Sequence, residues 1–321
     1  MIISLKKDLG RMERQALLAS LTRLFPKARF RPVPGGLGVS GLSVENAADA
    51  APLIENLPGA ADVIFSQAEL CPLACRKERP VLRKPLDFKF KPVFIAGPCA
   101  VEDMDSYLAS ALALKAAGAQ ALRAALFKPR SSPYAFQGIG WPGLKIIARA
   151  GRLTGLPLVT EATDTRQVGR LAEVCAVLQI GARNMRNYEL LKEAGRSGRA
   201  VLLKRAMNAT LREWLLSAEY LLKHGTKNLI LCERGDPQPV TGKPGLDLAK
   251  MFEARRLTGL PVLADPSHIS GDRRAAGALA KVALRAGADG LLIEASAMPL
   301  SARVDGRQTV TIETFRGLTG K

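Results

Sequence analysis

From residue 93 onward the chain repeats one pattern, a short and nearly unbroken apolar run followed by an amphipathic helical segment. The runs cover 93–96, 121–127, 156–161, 176–180, 200–204, 228–232, 261–264 and 290–294. Between them, apolar residues recur with helical periodicity over 104–117, 144–153, 165–174, 188–194, 211–223, 246–257 and 274–286, and a last helix lies near 311–318. Gly118, Gly155, Gly195, Gly225, Gly259 and Gly287 sit just past these helices, where a C-terminal cap takes a positive φ. Strands that are apolar on both sides are buried on both faces, which calls for a parallel sheet between layers of helix. Eight such β/α units fit a closed (β/α)8 barrel, the TIM barrel. A doubly wound open sheet is the alternative, but no Gly-x-Gly-x-x-Gly follows the first run to support it.

The first 70 residues follow a different rhythm. Strands are expected at 2–6, 29–34, 38–44 and 62–67, with helices at 12–24 and 46–57. That βαββαβ order is the one of a small ferredoxin-like α+β domain. It carries no catalytic cluster and reads as an interaction or regulatory module. Residues 71–91, rich in Pro, Lys and Arg, read as a linker and a barrel-capping hairpin. The expected division is therefore 1–70, 71–91 and 92–321. In a chain of 321 residues this agrees with a prior of about two domains.

Composition narrows the function. The net charge is +18, which admits a nucleic-acid binder, yet aromatics are only 5% and no basic tail is present. Small anionic substrates account better for that excess. No apolar run reaches the length of a membrane span, and no signal peptide is read, so the expected location is cytoplasmic, with no membrane partner. The five cysteines are irregularly spaced and read as reduced thiols, with Cys175 and Cys232 as small buried apolar groups. His224 reads as a cation at a helix C-terminus, and Thr210 with Glu213 as a capping box.

Barrel active sites are built at the C-terminal ends of the strands. There the sequence places Cys99, then Arg123 with Lys128-Pro129-Arg130-Ser131, then Glu161, then Gly181-Ala182-Arg183. Lys204, Arg234, His268 and Glu294 follow, with Asp305 in the loop beyond. Cys99, His268, Glu294 and Asp305 come from strands 1, 7 and 8, neighbours once a barrel closes. One thiolate, one imidazole and two carboxylates make a mixed site for a single divalent metal (Mn, Fe, Co or Zn) rather than for Ca²⁺. Strands 2 and 4 to 6 carry Arg123, Lys128, Arg130, Arg183, Lys204 and Arg234. Six cations aimed into one mouth would repel one another and call for bound phosphate or carboxylate. The backbone at 181–183 adds an anion-binding nest.

These strings resemble the 3-deoxy-D-arabino-heptulosonate 7-phosphate (DAHP) synthases, in particular the type I beta branch with an N-terminal ferredoxin-like domain. The matching segments are Gly97-Pro98-Cys99, Phe127-Lys128-Pro129-Arg130, Gln179-Ile180-Gly181-Ala182-Arg183-Asn184, Leu203-Lys204-Arg205, Cys232-Glu233-Arg234-Gly235 and Asp265-Pro266-Ser267-His268. They run in order through the whole barrel. The resemblance implies condensation of phosphoenolpyruvate with erythrose 4-phosphate, the step that opens aromatic amino-acid synthesis. It implies that Cys99, His268, Glu294 and Asp305 hold the metal. Arg123, Lys128, Arg183, Lys204, Arg234 and the Ala182 backbone would surround phosphoenolpyruvate. Arg130 and Ser131 would bind the sugar phosphate, Pro129 and Asp305 would also touch substrate, and Lys128, Glu161 and His268 would be catalytic. A homo-oligomer, a tetramer, and feedback inhibition by an aromatic amino acid are further implications.

Several positions depart from the family pattern: Ala100, Ala124-Ala125, Arg186, the loop 236–245 and Ser296. None removes an expected ligand. They leave open a paralogue that condenses phosphoenolpyruvate with another phosphorylated aldose, while a non-catalytic basic barrel that binds nucleic acid rests on charge alone.

Overall fold

The computed structural model describes residues 1–76, 79–90, 92–237 and 245–321. The chain divides into two compact units, Met1–Cys75 and Arg76–Lys321. The first contains β1 (Ile2–Leu5), α1 (Arg11–Leu24), β2 (Arg29–Val33), β3 (Gly36–Ser40), α2 (Val44–Glu55), β4 (Ala60–Ile64) and a short α3 (Gln67–Leu70). Its antiparallel sheet has the order β2-β3-β1-β4. Ile3, Leu17, Leu21, Ala50, Ile54 and Val63 bury its core between the sheet and the two long helices. That is the ferredoxin-like arrangement. All four strands end earlier than expected, two of them by three or four residues. The third strand stops at Ser40 because Gly41 turns the chain with φ 87°, and residue 44 already opens α2. The last strand ends at Ile64 because Ser66 and Glu69 form a reciprocal capping box that starts α3.

The second unit holds β5 (Val93–Gly97), α4 (Met104–Ala116), β6 (Ala121–Arg123), α5 (Pro142–Thr154), β7 (Leu158–Ala162), α6 (Thr165–Val174) and β8 (Val177–Ile180). A 3-10 turn at Ala182–Asn184 precedes α7 (Tyr188–Arg196), β9 (Ala200–Lys204), α8 (Leu211–Lys223), β10 (Leu229–Glu233) and α9 (Leu248–Thr258). The chain ends with β11 (Val262–Ala264), α10 (Ser267–Ser270), α11 (Arg273–Arg285), β12 (Gly290–Ser296), β13 (Val310–Thr311) and α12 (Ile312–Thr319). Strands β5 to β12 pair in parallel in sequence order, and β12 returns to β5, so the barrel closes. The register is regular at the closing seam, where Gly290 pairs with Val93 and Glu294 with Gly97. The open-sheet alternative is thereby excluded.

Val93, Ile95, Val159, Val177, Ala200, Leu202, Ile230 and Leu292 point into the lumen and fill it. Leu86 and Phe88, almost fully buried, join the same cluster from the strand-start end. They come from the segment expected as a hairpin, which has no strand among its described residues. Pro80 and Pro85 remove ladder donors there, and one bond, Phe88 N–H to the Leu82 carbonyl at 2.8 Å, closes the loop. The second barrel strand also ends earlier than its apolar run, at Arg123. Beyond it, Ala125 makes only an isolated parallel bridge with Ala100.

Gly118, Gly155, Gly225, Gly259 and Gly287 take the positive φ expected of caps. Gly195 does not, because it lies inside α7. A Cβ there would come within 2.8 Å of the His224 Cβ and 3.0 Å of the Leu221 carbonyl oxygen, so it serves close helix packing. Thr210 and Glu213 form the expected capping box at the start of α8. His224 caps the other end, its Nδ1 2.8 Å from the Tyr220 carbonyl oxygen. No helix is long and apolar enough to cross a membrane among the described residues.

Candidate active site

Cys99 follows the end of β5 across a tight passage. A Cβ on Gly97 would lie 1.9 Å from the Arg123 carbonyl oxygen, so only glycine lets the first strand pass the second here. The Cys99 thiol meets Asp305 Oδ2 at 3.0 Å. Asp305 has a left-handed backbone, φ 56°, and its carbonyl accepts the N–H groups of Gln308 and Thr309, a turn that aims the carboxylate back at the barrel. Glu294, fully buried on β12, faces His268 Nε2 at 3.4 Å. One donor atom from each of Cys99, His268, Glu294 and Asp305 lies within 4.8 Å of the others. The separation and the S, N, O, O chemistry fit a single divalent cation. Burial and the Glu294 charge push the Cys99 thiol well above its ordinary value, against the pull of Lys128 and Arg123. A cation bound there would reverse that and hold a thiolate.

Five cationic or polar groups frame this cluster. Lys128 Nζ sits 3.0 Å from the Cys99 sulfur, and Arg123 donates to Glu294 Oε1 at 2.9 Å. Lys204 donates to Asp265 Oδ2 at 2.5 Å, and the same carboxylate oxygen lies 2.7 Å from His268 Nδ1. Arg234 donates to the His268 carbonyl at 3.0 Å. Gln308 donates to Glu294 Oε2 at 2.9 Å. Above them opens a cavity of about 430 Å³, lined by Lys128, Pro129, Arg130, Ser131, Arg183, Arg234, His268 and Asp305 among others.

The six expected cations do not share one role. Arg123 and Lys204 are each 3% exposed and lie beneath the cavity, neutralised by Glu294 and Asp265. The expectation that all six repel one another without bound anions is corrected by those two internal pairs. Lys128, Arg130, Arg183 and Arg234 line the open space, and Arg130 and Arg183 meet no carboxylate among the described residues. Glu161 is not in the cavity wall. It accepts from Gln179 Nε2 at 3.1 Å, and its charge is felt by Lys128. Ala182 lies in the 3-10 turn beside Arg183 and is not in the wall either.

Burial works against the charge on Glu294, yet His268, Arg123 and Lys128 hold its pKa down at about 2. Asp265 is likewise buried, and His268 and Lys204 hold it well below the ordinary carboxylate range. Asp265 and Gln308 were not singled out from sequence. The signal was spacing: each stands three residues from an expected ligand, one helical turn away from His268 or Asp305. Arg205, at the strand end beside Lys204, is a further residue whose role its sequence position does not mark. It is completely buried and forks to Glu233 at 2.5 and 2.7 Å and to Asp236 at 3.0 and 3.1 Å, tying down the strand end that presents Arg234.

A closed barrel with a metal-competent S/N/O/O cluster at the strand ends, under a cationic cavity, defines a class: barrels equipped to handle phosphorylated anions beside a divalent cation. Residues 89–319 match the DAHP synthetase I family, and the chain belongs to that family. It is similar to the phospho-2-dehydro-3-deoxyheptonate aldolase of Thermotoga maritima, with 40% identity over 225 residues covering 70% of this chain and 67% of that one. A 2-dehydro-3-deoxyphosphooctonate aldolase of Nitratidesulfovibrio vulgaris is 31% identical over 241 residues, covering 70% and 88%. The crystal structure of the Thermotoga maritima DAHP synthase superposes with a TM-score of 0.80 at 30% identity, covering 99% of this chain and 95% of that one. A truncated form of that synthase gives 0.64 at 36% identity over 71% and 84%.

Proposed function

We propose that this chain is a DAHP synthase that condenses phosphoenolpyruvate with D-erythrose 4-phosphate, giving 3-deoxy-D-arabino-heptulosonate 7-phosphate and inorganic phosphate. The observation that carries the reading is the juxtaposition of four metal-competent donor atoms within 4.8 Å with a cavity walled by Lys128, Arg130, Arg183 and Arg234. In this reading Lys128, Arg183 and Arg234 grip the phosphate and carboxylate of phosphoenolpyruvate, with Arg123, Lys204 and the Ala182 backbone completing its surroundings. Arg130 and Ser131 take the sugar phosphate, Pro129 lines the substrate, and Asp305 reaches the substrate as well as the metal. Fixing both reactants in one mouth would set C3 of the enol phosphate against the aldehyde carbon. A divalent Mn, Fe, Co or Zn ion held by Cys99, His268, Glu294 and Asp305 would supply Lewis-acid polarisation of the aldehyde oxygen. Water adds at C2, and phosphate leaves from the hemiketal so formed. Lys128, 3.0 Å from the Cys99 sulfur, is placed beside the donor cluster and can hold or release a proton there. Glu161 and His268 are the other candidates for that role.

A sister reaction has support of its own in the likeness to octonate aldolases. An eight-carbon product, less three carbons from phosphoenolpyruvate, requires a five-carbon aldose phosphate. The Lys128-Pro129-Arg130-Ser131 loop and the higher identity to the heptonate enzyme favour erythrose 4-phosphate. The loop 236–245, which bears on this choice, is described only at 236–237 and 245. A cytoplasmic location, a homotetramer, and aromatic amino-acid control through the ferredoxin-like unit belong to the same proposal.

Phosphate release from phosphoenolpyruvate, measured with each aldose and with chelator, tests it. The expected result is turnover with erythrose 4-phosphate that chelator and Cys99→Ala both abolish. Turnover only with the five-carbon aldose would transfer the chain to the sister reaction. Salt-sensitive nucleic-acid binding without turnover would overturn the enzymatic reading altogether.

A further inference from the structure

A second cavity, of about 560 Å³, opens at the opposite end of the barrel from the candidate active site. Its walls are residues that precede or begin strands, Asn228 and Leu229 ahead of and in β10, Pro261 before β11 and Asp289 before β12. The loop 79–84 forms the remaining side, and Arg79 pins it by donating Nε to the Thr258 carbonyl at 2.9 Å. The volume is that of a small-molecule site.

The lining is lopsided in charge. Among the described residues, Arg79, Arg83, Lys84, Lys227 and Arg255 border it, against one carboxylate, Asp289. Asp289 is 1% exposed and already committed, accepting the Val262 N–H at 2.9 Å and pairing with Arg255 at 3.3 Å. Arg83 is answered by Asp87 at 3.3 Å. Lys84 and Lys227 meet no carboxylate among the described residues. The rest of the surface is apolar, from Val81, Leu82, Leu260 and Pro261. Cations gathered around a concave apolar floor repel one another and focus a positive potential into the cavity, which favours an anion there.

We infer that this cavity is a second ligand site, taking a small organic anion whose apolar ring or chain lies on Leu82 and Leu260 while its carboxylate or phosphate meets Lys84 and Lys227. The placement makes the site independent of the reacting centre, because the ligand enters from the strand-start end and the substrates from the strand-end mouth. The Leu82 loop packs through Phe88 onto the bottom layer of the lumen, so an occupant would rest against the base of the barrel itself.

Calorimetric titration of the full chain, with saturating phosphoenolpyruvate present, tests the inference. The probes are 3-phenylpropionate, phenyl phosphate, inorganic phosphate and the uncharged 3-phenylpropionamide. At least one phenyl anion is expected to bind, with inorganic phosphate weaker by about tenfold or more and the amide undetected. The pair Lys84→Glu with Lys227→Glu should weaken that binding by about tenfold or more, while phosphate release stays unchanged. Both side chains are exposed, and the pair Lys84→Gln with Lys227→Gln should give a smaller loss in the same direction. Arg183→Ala should leave probe binding intact. Displacement by phosphoenolpyruvate, sensitivity to Arg183→Ala, or indifference to both lysine pairs would each overturn the inference. So would inorganic phosphate binding as tightly as the phenyl anions. Failure of the synthase reading would show instead as absent turnover with lysine-dependent binding preserved.

Discussion

Asp265 touches two expected site residues with one carboxylate oxygen, Lys204 at 2.5 Å and His268 Nδ1 at 2.7 Å. That contact orients the ring so that Nε2 faces Glu294 and the other donor atoms. Carboxylates placed behind a metal-ligating imidazole commonly contribute about 10- to 100-fold in metal affinity. Asp265→Asn should therefore weaken divalent-metal binding by about that factor in a chelator competition, with the far-ultraviolet spectrum retained. Unchanged affinity would remove Asp265 from the site. Glu294 makes a pH prediction at the same scale. Its folded pKa of about 2 lies below the ordinary 4.5, so the stability it contributes is fully present above about 4.5 and is lost as pH falls toward 2. In metal-free protein, urea midpoints should drop across that window, and Glu294→Gln should flatten the drop. The sequence shows which charged groups stand at strand ends, because strand ends are legible from apolar runs. It does not show which charges neutralise each other. Arg123 and Lys204 therefore read as substrate cations alone, whereas each also holds a buried carboxylate in place.

At the level of elements, the end of β10 is the best-secured part of the site. Arg205, at the end of β9, satisfies both Glu233 and Asp236, and Glu233 in turn accepts the Gly235 and Asp247 N–H groups. Removing one partner from such a buried network leaves uncompensated charge and typically costs about 3–5 kcal/mol. Arg205→Ala should lose stability on that scale in urea and raise KM for phosphoenolpyruvate, because Arg234 sits between the two acids in sequence. A second element-level prediction concerns α7 and α8. Gly195→Ala must push the helices apart, and a cost of about 1–3 kcal/mol is expected from the thermal midpoint. Unchanged stability would mean the helices give way without cost. Periodicity located the eight barrel strands and the long helices, but not the short α10 and β13, since burial on one or both faces is written in the order of apolar residues only over several turns. It misplaced the last strand end of the first unit, which the Ser66 cap decides, and the hairpin of residues 71–91, which Pro80 and Pro85 disfavour. It also read Gly195 as punctuation, because the close approach of another helix leaves no mark on local sequence.

For the molecule as a whole, the closed register of β5 and β12 is what makes residues 99, 268, 294 and 305 neighbours. Without that closure, the first and last strands of an open sheet would keep Cys99 and Glu294 on opposite edges. The family match over 89–319 and the structural likeness across nearly the full chain agree with this architecture. The ferredoxin-like unit is legible as a fold from its strand order, which by itself carries no function. Titration of the metal-free chain with Co²⁺ tests the central claim most directly. One ion per chain should bind with a thiolate-to-cobalt charge-transfer band, and Cys99→Ala should abolish that band. Binding with no Cys99-dependent band, or no stoichiometric binding at all, would contradict a metal centre built from these four side chains.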